Sequence, residues 1–443
     1  MRRLLFIFSF LSLLVVDGKA QEVEILTLED CLRIGIDNNL SLEGKRKEIQ
    51  KSKYGVSENR SKLLPQITAI AGYNNNFDPP VSVTDGSSYG VPYNITKTLQ
   101  HTANAGLEMQ MPLFNQTLYT SMSIAKVMEE ISRLSYGKAR EDIIMQISKM
   151  YYLGQVTAEQ IVLIKANITR LEELRDITQA FFDNGMSMEV DLKRVNINLE
   201  NLKVQYDNAQ AMMKQQLNML KYIMDYPAEK EFVLTPVNTD SITTVALTGL
   251  SENIYELQLS QSQVRLAEKQ KKIISNGYIP SLSLTGSWRY AAYTDKGYHW
   301  FHSGPSNHWF RSYGLGLTLR IPIFDGLDKT YKIKKAMIDI ENSKLAWENA
   351  RKSLQTQYLN AVNDLMNNQR NFKKQKDNYL LAEDVYTVTS DRYREGIASM
   401  TEVLQDEMQM SEAQNNYISA HYNYRVTNLM LLKLTGQIES LVK

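Results

Sequence analysis

Gln110-Met-Pro-Leu-Phe-Asn115 returns later in the chain as Arg320-Ile-Pro-Ile-Phe-Asp325, with 210 residues between Pro112 and Pro322. Leu63-Leu-Pro-Gln-Ile67 returns as Tyr278-Ile-Pro-Ser-Leu282, and Phe182-Asp-Asn-Gly-Met186 as Tyr393-Arg-Glu-Gly-Ile397, at offsets of 215 and 211. Each half reads helix, strand, loop, strand, very long helix, turn, helix. Solenoid repeats recur every 20–50 residues or so. A period above 200 therefore means two copies of one complete structural unit.

The strands of that unit alternate with period 2. In 102–113, Ala103, Ala105, Leu107, Met109, Met111 and Leu113 fall on one face, and Thr102, Asn104, Glu108 and Gln110 on the other. In 281–290, Leu282, Leu284, Trp288 and Tyr290 oppose Ser281, Ser283, Thr285, Ser287 and Arg289. The stretch from 312 sets Tyr313, Leu315, Leu317, Leu319 and Ile321 against Ser312, Gly314, Gly316, Thr318 and Arg320. The segment 66–77 is weaker, because Ile70 interrupts its polar face. About ten residues suit a tilted strand crossing a bilayer. A soluble sheet with one face on a core shows the same period. Charges on the polar face (Glu108, Arg289, Arg320) and aromatics near the outer ends (Tyr290, Tyr293, Trp309, Phe310, Tyr313) favour a wet lumen and an interfacial girdle.

Backbone in lipid must be paired, so a membrane sheet must close. Four strands are too few, since the smallest barrels have about eight. Two copies would give eight strands and three would give twelve. The count requires an oligomer without choosing its size.

From Gln116 to about Ala180, and from Leu327 to about Ser390, no proline occurs and apolar residues recur at helical spacing. At about 1.5 Å per residue such helices reach roughly 100 Å. A periplasmic coiled-coil spacer is the simpler reading, but it leaves unexplained why each rod follows directly on a strand. Pro65, Pro112, Pro280 and Pro322 are expected at the four helix–strand junctions, ending each ladder for want of a donor. Gly185 and Gly396 mark turns at which each long helix stops and a return helix begins. These tips are expected farthest from the membrane.

The expected organisation is a signal peptide at 1–20, a first repeat at 21–225, a linker at 226–250 and a second repeat at 251–443. The first repeat holds strands 66–77 and 102–113, outer loop 78–101 and tip turn 183–187. The second holds strands 281–290 and 312–323, outer loop 291–311 and tip turn 394–399. Met1-Arg-Arg3, the apolar run Leu4 to Val16 and Gly18-Lys19-Ala20 have the form of a cleaved signal, and the run is too short to span a bilayer. With 50 basic and 49 acidic residues, the chain has no electrostatic footprint for nucleic acid. The single cysteine, Cys31, excludes an intrachain disulfide and reads as a buried helix position. No phosphate loop, HExxH or GxSxG motif occurs, so no enzyme, cofactor or metal site is expected. His299, His302 and His308 share an outer loop but match no zinc spacing, and read as exposed loop residues.

Leu26-Thr-Leu-Glu-Asp-Cys-Leu-Arg-Ile-Gly-Ile-Asp-Asn-Asn39 resembles the N-terminal helix motif of the TolC-like outer-membrane efflux proteins. Tyr393-Arg-Glu-Gly-Ile-Ala-Ser-Met-Thr-Glu-Val-Leu404 resembles that family's second tip motif, and Ala413-Gln414 and Asn423-Tyr424 match the helix beyond it. The resemblance covers nearly the whole mature chain. It implies an internally duplicated fold, all-α in its periplasmic helical barrel of long coiled-coil helices. It also implies a transmembrane β-barrel of twelve strands shared by a homotrimer, four from each chain. It implies residence in the outer membrane lipid with a long periplasmic extension. The implied partners are a periplasmic adaptor (membrane fusion protein) and an inner-membrane pump, and the implied cargo is drugs, metals or proteins.

The resemblance further implies a closed periplasmic gate lined by acidic rings. Its acid six residues after the tip glycine falls on Glu402, and Asp191 stands six after Gly185. The next ring position is Gln405, with Asp406 beside it, so one expected acid is an amide. Glu402 and Asp191 read equally well as solvated first-turn residues favoured by the helix dipole. A soluble periplasmic coiled-coil adaptor or scaffold is the competing function.

Overall fold

A computed structural model describes residues 24–97, 99–237, 249–294 and 309–442. The expected signal peptide, residues 238–248 of the inter-repeat linker and the loop histidines lie outside the described residues. In chain order the elements are β1 (Glu24–Leu26), α1 (Leu28–Asn38), α2 (Leu40–Ser61), β2 (Gln66–Asn75), β3 (Val81–Asp85), β4 (Tyr93–Lys97) and β5 (His101–Phe114). They continue with α3 (Gln116–Asp183), α4 (Glu189–Met224), β6 (Phe232–Leu234), α5 (Tyr255–Asn276), β7 (Ser281–Thr294), β8 (Trp309–Arg320), α6 (Asp328–Arg394) and α7 (Met400–Leu434).

The chain divides into two compact units, and each takes part of both sequence repeats. One holds residues 41–140 and 250–357, the other 1–40, 141–249 and 358–443. Helices α3 and α6 run through both, with 68 and 67 residues, or about 100 Å each at 1.5 Å per residue.

The first unit carries a four-stranded antiparallel sheet in the order β2-β5-β7-β8. The pairing of β5 with β7 joins the two sequence repeats. Register places Ala69, Leu107, Trp288 and Tyr313 in one cross-strand row and Thr68, Glu108, Ser287 and Gly314 in the next. One face is thus apolar and the other polar, as the alternation of the sequence requires. The apolar face is uncovered in the single chain: Leu315 is 80% exposed and Leu317 67%. Among the described residues, strands β2 and β8 each have one neighbour only, so the sheet formed by those residues is open at both edges. Among the helices of the same unit, Ser52 of α2 meets Ser132 of α3 at 2.7 Å, and Arg265 of α5 reaches Glu130. Gly137 lets the Tyr255 ring lie against α3, where a Cβ would fall 2.4 Å from it.

Two expectations need correction. Pro112 does not stand after its strand. It lies inside β5 opposite Ser283, where the register shifts between Pro112 and Phe114. A strand tolerates a residue without a donor at such an irregularity. Pro65, Pro280 and Pro322 do lie just outside β2, β7 and β8. The loop expected over 78–101 contains a hairpin, β3 paired with β4. Val81, Val83, Tyr93 and Ile95 alternate there with Ser82, Thr84 and Asn94, and period 2 prevails over the turn residues around them.

In the second unit, Thr27 caps α1 in a reciprocal box with Asp30. Cys31 is fully buried, and burial pushes its thiol up to about 12. The parallel pair β1–β6 lies over α3, where Tyr151 donates to the Leu26 carbonyl at 3.2 Å. The main core joins four helices: Ile164, Leu171 and Leu174 of α3, Val195, Leu199 and Leu202 of α4, Tyr386 and Tyr393 of α6, and Val403 and Met410 of α7. The 4-3-4-3 spacing of Val195, Leu199, Leu202, Tyr206 and Ala209 is that of a coiled-coil seam.

Candidate functional site: the helical tip

Both tip turns are built the same way. Met186 donates to the Phe181 carbonyl at 2.8 Å and Gly185 to that of Phe182 at 2.9 Å. Ile397 and Gly396 repeat these bonds to Arg392 and Tyr393. This is the double closure of a left-handed helix stop. Gly185 and Gly396 sit at φ +74° and +78°, where a side chain is strained.

The two return helices start differently. In α7, Ser399 is the N-cap: its hydroxyl accepts from the Glu402 amide at 3.3 Å, and its own amide donates to the Glu402 carboxylate at 2.8 Å. The Ser399 amide, then its hydroxyl, hold the Glu402 carboxyl below its ordinary value. Glu402 is therefore a fixed, exposed anion in the first turn. In α4 the equivalent cap is Met188, which gives no side-chain bond. Asp191 turns instead to Arg194 at 3.2 Å, and Arg194 also donates to Thr401 of α7 at 3.4 Å. Gln405 is exposed and Asp406 half-buried. The tip thus draws Asp191, Arg194 and Thr401 together and leaves Glu402 on its own cap.

A pattern absent from the expectations runs along α7. Met400, Glu407, Gln414, His421 and Asn428 recur every seven residues, offset by three from Val403, Met410, Tyr417, Tyr424 and Leu431, and all ten are buried. One position of the seam is therefore polar in four successive heptads. Gln414 exchanges bonds with buried Asn167 of α3 at 2.7 and 3.5 Å. His421 accepts from Arg425 at 2.9 Å through Nε2, which leaves the proton on Nδ1, 3.6 Å from Glu159 of α3. Asn428 donates to the Tyr424 carbonyl. Glu407 has no partner among the described residues, its Oε1 is sealed from solvent, and burial pushes its carboxyl up to about 7. The signal was available in the sequence: a polar residue at every seventh place in an apolar stripe.

Glu407 opens onto a groove of about 920 Å³ between α4 and α7, with Leu202, Leu404 and Met408 on its apolar part and Asn198, Asn201 and Gln405 among its amides. Among the described residues no cluster of His, Cys, Asp or Glu is arranged to hold a metal ion. On the sheet's polar face Arg289 pairs with Glu108 at 2.5 Å, and Gly106 makes room, since a Cβ there would lie 2.5 Å from the Trp288 carbonyl.

The sequence profile of the outer membrane efflux proteins matches residues 34–224 and 246–437. Over 396 residues the chain is 21% identical to the outer membrane protein TolC of Vibrio cholerae, covering 86% of this chain and 84% of that protein. It is 23% identical over 382 residues to the probable efflux pump outer membrane protein TtgC of Pseudomonas putida, covering 81% and 75%. The solved structure of CusC superposes with a TM-score of 0.77 at 16% identity, covering 92% of this chain and 91% of that one. The outer membrane protein VceC of Vibrio cholerae superposes at 0.73 with 14% identity, covering 92% and 96%.

Proposed function

Because this chain belongs to the outer membrane efflux protein family, we propose that it is the exit duct of a tripartite efflux or type I secretion system. It passes small molecules or proteins across the periplasm and the outer membrane. The observation that carries this reading is an antiparallel sheet of four strands, open at both edges among the described residues and apolar on one exposed face, whose strands β5 and β8 lead into helices of about 100 Å. Unpaired edges in lipid cost several kcal/mol per group, so other copies must complete the sheet. Three copies, each giving four antiparallel strands, close a twelve-stranded barrel. The polar face with its Glu108–Arg289 pair then lines the lumen, and the apolar face meets lipid.

The partners are two further copies, a periplasmic adaptor and an inner-membrane pump. Glu402 and Asp191 are candidates for the periplasmic gate. The capping bonds to Ser399 favour an ionised Glu402, and three such anions around an axis would concentrate cations. The Arg194–Asp191 pair argues that Asp191 acts as a link between return helices rather than as a free charge.

Reconstitution in planar bilayers tests the duct. The purified chain should insert as a heat-modifiable oligomer and conduct ions, and Glu402→Ala should shift its cation selectivity. Recovery of all the protein in osmotic-shock fluid would overturn the duct reading. Unchanged selectivity in the variant would remove Glu402 from the gate.

A further inference from the structure

Among the described residues, the apolar face of the sheet carries one permanent charge. Arg311 lies on that face, in the cross-strand row Ala71, Ala105, Tyr290 and Arg311. The other charges of the four strands, Glu108, Arg289 and Arg320, lie on the polar face. His101 shares the apolar face but is buried and bonded to the Tyr73 hydroxyl at 2.9 Å. Arg311 is exposed, and its guanidinium lies over the Tyr313 ring, 5.9 Å from the centroid. A ring attracts the charge but offers no oxygen to the five N–H donors. Among the described residues no hydrogen bond or ion pair takes those donors.

The strands that can flank Arg311 hold no carboxylate for it. Neither β7 nor β8 contains Asp or Glu. In a barrel closed by three copies, the open edge of β8 pairs with β2 of the next copy, and β2 contains none either. Arg311 stands four residues before Leu315 in β8. With Leu315 near the midplane, about 3.3 Å per residue and a tilt of about 40° put Arg311 roughly 10 Å from it, just inside the edge of an apolar band about 25 Å tall. Because β8 leads into α6 at its other end, this is the outer leaflet. A long cationic side chain at that depth carries its head to the headgroup layer.

We propose that Arg311 binds the phosphate of an outer-leaflet glycolipid, one per chain. Tyr290 and Tyr313 flank the headgroup, and Leu315 and Leu317 lie under its acyl chains. This rests on the duct reading, in which the apolar face meets lipid, and it adds a specific lipid contact. Phosphate suits the residue, because the planar fork of arginine pairs two N–H donors with two phosphate oxygens. Tyr290, directly opposite on β7, packs edge-on against Trp288 with ring centroids 5.6 Å apart, so the aromatic wall beside the cation is held in place.

The test counts lipids bound to the purified full-chain oligomer in a sugar detergent by native mass spectrometry. The probes are lipid A with its phosphates and the same lipid dephosphorylated. The phosphorylated lipid should be retained at up to one per chain, about tenfold more tightly than the dephosphorylated one, as expected of a charge-assisted bidentate pair. Arg311→Gln should abolish that preference, and Arg311→Lys should keep part of it, weaker by about threefold, because an ammonium lacks the fork. Arg320→Gln, which removes a cation from the polar face, should leave the preference intact. Excess inorganic phosphate should not release the lipid, since the acyl chains also hold it. Equal retention of the two lipids by the unaltered chain would overturn the site, and needs no variant to fold. A preference that survives in Arg311→Gln would overturn it too, and if that oligomer conducts, the duct reading stands. Release by inorganic phosphate would overturn the lipid as the ligand. Asp295→Asn removes the one acid of loop 295–308; a several-fold rise in retention would mean that this carboxylate occupies Arg311, and would overturn the proposal. A chain that neither conducts nor retains lipid would overturn both readings.

Discussion

Leu315→Arg is the sharpest perturbation of the sheet. Leu315 lies six residues from Trp309 and five from Arg320 in β8. At about 3.3 Å per residue and a tilt of about 40°, that puts it roughly 15 Å and 13 Å from the strand ends along the bilayer normal. It therefore sits near the midplane, on the face that carries Ile67, Met109 and Gly286 in its cross-strand row. An arginine on the lipid face at that depth costs about 2–4 kcal/mol. Three copies at well-separated positions would lose about 6–12 kcal/mol of assembly free energy, because distant sites add. The assay is the yield of heat-modifiable oligomer in outer-membrane fractions. Leu315→Arg should deplete it severely, whereas Thr318→Arg, on the opposite face, should cost under about 1 kcal/mol per copy because it enters water. Equal damage from the two, or none from Leu315→Arg, would refute the assignment of the faces.

Other outcomes follow from the helical unit. Asn167→Ala strands the buried Gln414 amide and should destabilise the unit by about 1–3 kcal/mol, read as a lower denaturant midpoint, while the Asn167→Leu/Gln414→Leu pair should recover most of the loss. Gly396→Val places a β-branched residue at φ +78°, so the tip should lose about 1–2 kcal/mol and cleave faster in limited proteolysis. Glu407 binds its proton more tightly folded than unfolded, near 7 against an ordinary 4.5. Its contribution is thus greatest in acid and is lost as pH rises from about 4.5 through 7, by up to about 3 kcal/mol. Glu407→Gln should remove that slope from chemical denaturation curves between pH 5 and 8.

The sheet was legible because lipid and water impose period 2 on β5, β7 and β8, and because the halves repeat. Length and the absence of proline disclosed α3 and α6. Pro112 was misplaced because sequence shows the missing donor but not the irregularity that accommodates it. The β3–β4 hairpin was hidden by the Asp, Gly and Pro around it, although Val81, Val83, Tyr93 and Ile95 carry the alternation. At the tip, the glycines and the first-turn acids are visible as types, and the spacing of Ser399 and Glu402 carries the signature of the capping box that the structure shows. An acid in an apolar stripe looks like a gap until burial and the absence of a partner are known.

Four strands per chain are too few to stand in a bilayer alone. The most direct measurement is the number of chains in the conducting particle, by native mass spectrometry from detergent or lipid nanodiscs. Three chains are expected. A single chain that conducts by itself would contradict it.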